Sequence, residues 1–155
     1  MLTYRDAQPA DAAGMAQILR DIIALTGRMR ASDAAYCLAT YIENPASVCC
    51  TVAIDGAEQV VGFQSLTIAG PDSAYGTPEG WGAIGTHVSP DAHGQGVGRA
   101  LFACTLAAAR HAGVTQIDAS IGADNPEGQA YYAAMGFQTW QTANGRVQKV
   151  YRVAQ

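Results

Sequence analysis

Apolar residues recur along this chain with two periods, and the switches between them mark its elements. Residues 2–5 read as a short strand. Pro9 and Asp11 then open a stretch in which Met15, Ile18, Leu19, Ile22, Ile23 and Leu25 fall on a helical stripe. The run Thr26-Gly27-Arg28-Met29-Arg30 breaks it. A second helix is expected after Ser32 or Asp33 as its cap, with Tyr36, Leu38, Ala39 and Ile42 on its apolar side. Asn44-Pro45 ends it. From residue 48 the period falls to two, so that Val48, Cys50, Val52 and Ile54 share a face. Asp55-Gly56 signals a hairpin whose second strand covers residues 59–69. Residues 70–80 are a loop by composition, and 81–88 form the next strand.

The helical period returns after a run of glycines. A helix over about 96–112 carries Val97, Leu101, Cys104 and Ala108 on one side, with Gly113 just past its end. Ile117, Ala119 and Ile121 share one face of a strand over 114–121. Strand, helix and strand in this succession form a right-handed crossover, so 81–88 and 114–121 should run parallel. Asn125-Pro126-Glu127 has the grammar of a helix start, and Gly136 ends that helix. A closing hairpin joins 137–140 to 146–153 around Asn144-Gly145. The order β-α-α-β-β-β-α-β-α-β-β implies an α+β fold with a single mixed, mostly antiparallel sheet and helices on both faces. At 155 residues, without repeats or low-complexity tracts, residues 1–155 are expected to form one domain.

Composition narrows the function classes. Charged residues are 14% and the net charge is −4, with no basic stripe, so nucleic acid is not an expected partner. No apolar run approaches the roughly 20 residues of a membrane span, so no membrane partner is expected either. Arg5, Asp6 and Asp11 at the start do not read as a signal peptide. The four cysteines, Cys37, Cys49, Cys50 and Cys104, lack C-x-x-C spacing, which argues against a metal site or redox pair. A reduced, cytoplasmic protein without a metal is the expectation.

The chemistry concentrates in two stretches. The first is Thr86-His87-Val88-Ser89-Pro90-Asp91-Ala92-His93-Gly94-Gln95-Gly96-Val97-Gly98-Arg99-Ala100-Leu101. A helix that starts inside such a glycine turn presents unpaired N–H groups and the positive end of its dipole, which suits a pyrophosphate. The spacing is not the G-x-G-x-x-G of dinucleotide-binding folds, because Arg99 or Leu101 stands where its third glycine would fall. Nor is it a P-loop, since no Gly-Lys-Ser/Thr follows. The second stretch is Asn125-Pro126-Glu127-Gly128-Gln129-Ala130-Tyr131-Tyr132-Ala133-Ala134-Met135-Gly136-Phe137.

The glycine turn resembles the acyl-CoA pyrophosphate loop, Gln/Arg-x-x-Gly-x-Gly/Ala, of the GCN5-related N-acetyltransferase (GNAT) superfamily. His93 stands at its first position, in place of Gln or Arg. The second stretch resembles the same superfamily's late motif, Asn-x-x-(x)-Ala-x-Tyr-x-x-x-Gly-Phe. The resemblance implies the GNAT, or acyl-CoA N-acyltransferase, fold and transfer of an acetyl group from acetyl-CoA to a primary amine of a small molecule in a ternary complex. It implies a cofactor site from Val88, His93, Gly94, Gln95, Gly96, Val97, Gly98, Arg99, Ala100 and Asn125. A backbone N–H near Val88 would polarise the thioester carbonyl. It makes Tyr132 the group that protonates the departing thiolate. Tyr131, about 100° round the helix, should then aim elsewhere.

An ammonium near pKa 10 must lose a proton before it can attack. The Glu that many relatives use falls near Gly82 here and is missing. His87 is the nearest titratable alternative, followed by Glu79 or a water chain. The acceptor site should lie among residues 26–30, the 70–80 loop and the Asn144 hairpin, with Arg28 and Arg30 able to bind a substrate carboxylate. A CoA-binding module without turnover and an acyltransferase of longer acyl chains are the alternatives. Oligomeric state is left open, with a homodimer among the arrangements considered.

Overall fold

Why these residues form these elements is clearest at their ends. The computed structural model describes residues 1–154. β1 (Thr3–Asp6) leads through a short turn into α1 (Ala12–Thr26), which stops at Gly27 because the chain there turns left-handed at φ 74°. α1 buries Ala12, Met15, Ala16, Ile18 and Leu19. Leu25, expected on that stripe, is 69% exposed on the last turn. α2 (Ala34–Cys37) begins where the Asp33 carboxylate accepts the Tyr36 N–H at 2.6 Å, and it widens into a π-helical turn over Leu38–Ile42.

β2 (Ser47–Ile54) and β3 (Val60–Ile68) form the predicted hairpin. A bulge between Ser47 and Cys49 corrects one sequence expectation. It shifts Val48 off the face of Cys50, Val52 and Ile54, and Val48 packs with Leu66 on the opposite face instead. β4 (Gly82–Val88) pairs antiparallel with β3 along its whole length. α3 (Val97–His111) follows, and its buried stripe is Val97, Leu101, Phe102, Thr105 and Ala109 rather than one through Cys104 and Ala108. The buried line follows the i, i+4 row, as expected when a helix crosses a sheet with one ridge seated on it.

β5 (Gln116–Gly122) runs parallel to β4, as the crossover argument requires, but pairs with it only at Gly82↔Ile117 and Ala83↔Asp118. α4 (Pro126–Met135) then leads to β6 (Gln138–Ala143) and β7 (Arg146–Arg152). Asn144 at φ 55° and Gly145 at φ 73° supply the two left-handed residues of a tight hairpin turn. The sheet order is β1-β2-β3-β4-β5-β7-β6, so the last strand lies inside and β6 is an edge. α1 and α2 cover one face over Cys50, Val52 and Phe63. α3 and α4 cover the other over Leu66, Ile117, Ala119 and Ile121. The architecture is the α+β arrangement the sequence implied. Among the described residues, no helix is long and apolar enough to cross a membrane.

Candidate active site

The site is built around the divergence of β4 from β5. Past Ala83 the edge of β4 that faces β5 has no strand partner among the described residues, while its other edge stays paired to β3 as far as Gly62↔Val88. Backbone N–H and C=O groups on that free edge need partners from elsewhere. The sequence leaves this gap directly into the glycine turn.

A short 3₁₀ turn over Pro90–Ala92 follows β4, and His93 leaves it in an extended conformation. Gly94 (φ 78°) and Gly96 (φ 76°) are both left-handed, and a Cβ on either would meet nothing within 4 Å. Their role is therefore backbone conformation beside open space. The first helical bond of α3 runs from Ala100 N–H to Gly96 C=O at 3.1 Å. That leaves the N–H groups of Val97, Gly98 and Arg99 ahead of any intrahelical acceptor. It also removes Ala100 from the expected set of donors, because its N–H is committed. Val97 sends its side chain into the core at 2% exposure, so only its backbone faces the turn. His93, Gln95 and Arg99 are exposed around it.

Gly98 is a glycine for another reason. A Cβ there would lie 2.6 Å from Cε1 of Tyr131. The Tyr131 ring rests against the first turn of α3, and its hydroxyl donates to the Gly98 carbonyl at 2.7 Å. Gln64, fully buried in β3, donates from Nε2 to the Tyr131 hydroxyl at 3.0 Å and to Thr86 Oγ1 at 2.9 Å. Thr86 in turn is 2.8 Å from the Tyr132 hydroxyl, a bond in which either oxygen can donate. The two tyrosines thus meet one polar chain, Gly98–Tyr131–Gln64–Thr86–Tyr132, although they leave the helix in different directions. Burial pushes both phenols above their usual pKa, Tyr132 the further, so both stay protonated at neutral pH. Asn125 caps α4 through Oδ1, which accepts the Gly128 N–H at 3.0 Å.

Side chains on the other face of β4 form a second compartment. A cavity of about 220 Å³ lies between the strands, walled by Ser65, Thr67, Ala83, Gly85, Asp118 and Ser120 and roofed by Thr40, Tyr41, Asn44 and Tyr75. His87 shares this face. Its ring packs 4.9 Å from Phe63 and 6.1 Å from Tyr41, with Arg30 Nη1 at 3.5 Å from Nε2. Desolvation first, then the Arg30 charge, push the imidazole well below its usual pKa and keep it neutral. The missing Glu also has a structural cause. A Cβ on Gly82 would stand 2.8 Å from Leu66 Cδ1 and 3.3 Å from Val114 Cγ1, so this position has no room for a side chain.

Glu79 is exposed and does not line the cavity. Arg28 donates to the Asp124 carbonyl at 2.6 Å. Arg30 is held by the Tyr41 hydroxyl at 2.7 Å. Sequence reasoning passed over Gln64, Asp118 and Arg146, because none sits in a motif, and it gave Thr86, at the head of the first stretch, no role of its own. The one available signal was a polar residue in a strand otherwise patterned for burial, as at Gln64 and Asp118. Among the described residues no group of three or more His, Cys, Asp or Glu is placed to hold a metal.

Comparison with known proteins agrees with this geometry. The family model described as "Acetyltransferase (GNAT) family" matches residues 16–137. No protein of curated function matches the chain. Among solved structures, a GCN5-related N-acetyltransferase from Kribbella flavida superimposes with a TM-score of 0.76 at 24% identity, over 97% of each chain. A GNAT superfamily phosphinothricin acetyltransferase from Sinorhizobium meliloti, in complex with acetyl-CoA, gives 0.77 at 22% identity, over 98% of this chain and 88% of that one. A ribosomal-protein-alanine N-acetyltransferase from Brucella melitensis gives 0.75 at 21%, over 97% and 99%. These likenesses establish a shared fold.

Proposed function

The chain belongs to the GNAT family of acetyltransferases, and from that premise we propose that it moves the acetyl group of acetyl-CoA to a primary amine of a small molecule by direct attack. The observation that carries this reading is the gap between β4 and β5, with the hydrogen-bonded Thr86–Tyr132 pair on one face of β4 and the 220 Å³ cavity on the other. The residues fit acetyl-CoA as co-substrate. Open space beside Gly94 and Gly96, with the free N–H groups of Val97, Gly98 and Arg99, suits a pyrophosphate. The unpaired edge of β4 suits an extended amide chain that adds to it as a strand would.

In this reading a backbone N–H near Val88 polarises the thioester carbonyl. Tyr132 delivers a proton to the leaving sulfur. Thr86 prepares it for that role: it accepts from Gln64, donates its own proton to the Tyr132 oxygen, and so leaves the phenol proton free to point elsewhere. His87 faces the acceptor compartment, but a base whose pKa is held low is mismatched to an ammonium. The reading therefore sends the amine proton to solvent in the cleft. The test is thiol release from acetyl-CoA across a panel of small primary amines. Acceleration by at least one amine is expected. CoA binding without thiol release for any of them would favour a non-catalytic module, and faster reaction with longer acyl-CoAs would favour a different acyl donor.

A further inference from the structure

One charge lines the acceptor cavity and one of opposite sign rests on its wall, and neither has an ionic partner among the described residues. Asp118 lines it from β5 at 1% exposure. Its Oδ2 accepts from Thr77 Oγ1 at 2.8 Å and Gln148 Nε2 at 3.0 Å, and its Oδ1 accepts from Trp140 Nε1 at 2.8 Å. A carboxylate offers about four lone-pair sites, so one on Oδ1 remains. All three donors are neutral, and a buried charge without a counter-ion is costly.

The positive charge comes from the neighbouring strand, where Arg146 pairs with Gly122 and reaches back to Ser120. Arg146, the first residue of β7, donates from Nε to Ser120 Oγ at 2.9 Å and from Nη2 to the Ser120 carbonyl at 2.7 Å. Its guanidinium stacks over the Tyr75 ring at 4.3 Å. Ser120 and Tyr75 both line the cavity. The side chain is thus fixed in orientation, and Nη1 has no hydrogen-bond partner among the described residues. The ion pairs found within 4.0 Å among those residues are Arg5–Asp11 and Arg28–Asp124, so no carboxylate neutralises Arg146. Arg30, by contrast, has Nε on the Ala31 carbonyl, Nη1 near His87 and Nη2 on Tyr41. Asp118 and Ser120 share a face of β5, about 6.6 Å apart along the strand. With the guanidinium held on Ser120, the two charges complement a small molecule with an ammonium at one end and a carboxylate at the other.

We propose that the acceptor is a zwitterion of the amino-acid class, whose ammonium donates to the open site of Asp118 and whose carboxylate is received by Arg146. The inference rests on the acetyl-transfer reading for its chemistry, but the binding it describes stands apart from turnover. A planar guanidinium already oriented by two hydrogen bonds and a ring loses little freedom when it takes a carboxylate, which is the condition for strong discrimination.

The experiment compares L-amino acids with their decarboxylated amines, such as L-phenylalanine with 2-phenylethylamine and L-methionine with 3-(methylthio)propylamine. Thiol release gives kcat and KM, and titration of the amino acid into the CoA-bound protein gives affinity. The parent protein should favour the amino acid of each pair in kcat/KM by about tenfold or more, on the scale of a charge-assisted hydrogen bond. In Arg146→Gln that ratio should collapse towards one through a rise in the amino acid's KM, with Arg146→Lys between the two. Asp118→Asn should weaken binding of both members, and a melting temperature near the parent's excludes simple loss of fold. A parent that prefers the decarboxylated amine would overturn the proposal, as would an unchanged ratio in Arg146→Gln. Amino-acid binding that depends on Arg146 without thiol release from any amine would support the zwitterion site and overturn the acetyl-transfer reading.

Discussion

The two faces of β4 offer different means of recognition. On the α3–α4 face, the proposed cofactor cradle is backbone: N–H groups at one helix start, a free strand edge, and glycines that keep space open. On the α1–α2 face, the cavity is bounded by side chains from β3, β4, β5, the π-helical turn and the 70–80 loop. Backbone recognition depends on a short contiguous run of sequence. Side-chain recognition depends on residues as far apart as Thr40 and Ser120, which only the sheet brings together. The first face can therefore be shared across a family while the second changes with the acceptor.

The largest effect should come from breaking the backbone side. Gly96→Val forces a β-branched residue to φ 76°, at a cost of about 1–3 kcal/mol, and places methyls in the open space. CoA affinity measured by calorimetry should fall by about 100-fold or more. A folded variant with parental affinity would show that the turn is not the cofactor site. The next effect separates the two tyrosines. Tyr132→Phe keeps the packing of the ring against Phe137 but removes the proton, and kcat should drop by about 10²-fold with little change in the KM for acetyl-CoA. Tyr131→Phe removes the bond to the Gly98 carbonyl, so it is not the neutral control that its position suggests. It should raise the KM for acetyl-CoA several-fold, on the scale of about 1 kcal/mol for one hydrogen bond, and leave kcat near the parent value. The opposite assignment of kcat and KM effects would place the acid at Tyr131.

A smaller effect tests the acceptor side. The folded-state pKa of His87 is depressed, so between its ordinary value near 6.5 and its lower native value the unfolded chain binds a proton that the native one refuses. Its stabilising contribution is full above about pH 6.5 and declines as the pH falls through that window. Melting temperatures at pH 7 and pH 5 should therefore differ less in His87→Gln than in the parent. An equal difference would mean that His87 is free to protonate in the fold. The smallest effect is expected at His93, exposed beside the turn. His93→Arg adds a charge near the pyrophosphate position and should tighten CoA binding modestly, by an amount that shrinks as salt rises.

The sequence by itself determined the parts that local chemistry specifies. The order of elements, the left-handed ends at Gly27, Gly113 and Gly136, the Asn125 cap and the Asn144-Gly145 turn each follow from one or two residues and their allowed dihedrals. The glycine turn was legible for the same reason, since its N–H groups and their helix are adjacent in the chain. Tertiary structure decided the rest. Periodicity could not foresee the bulge that moved Val48, because a bulge arises from pairing between strands. It could not foresee that Gly98 and Tyr131 touch, nor that Gln64 ties both tyrosine hydroxyls to one chain, because these contacts span 33 and 67 residues. It offered His87 as a base from its intrinsic pKa, while burial first and the Arg30 charge second lower that pKa in the fold. Asp118 and Arg146 carry no motif at all. Their relation exists only because β7 inserts beside β5, and pairing across those strands brings Arg146 onto Ser120, which lines the cavity with Asp118.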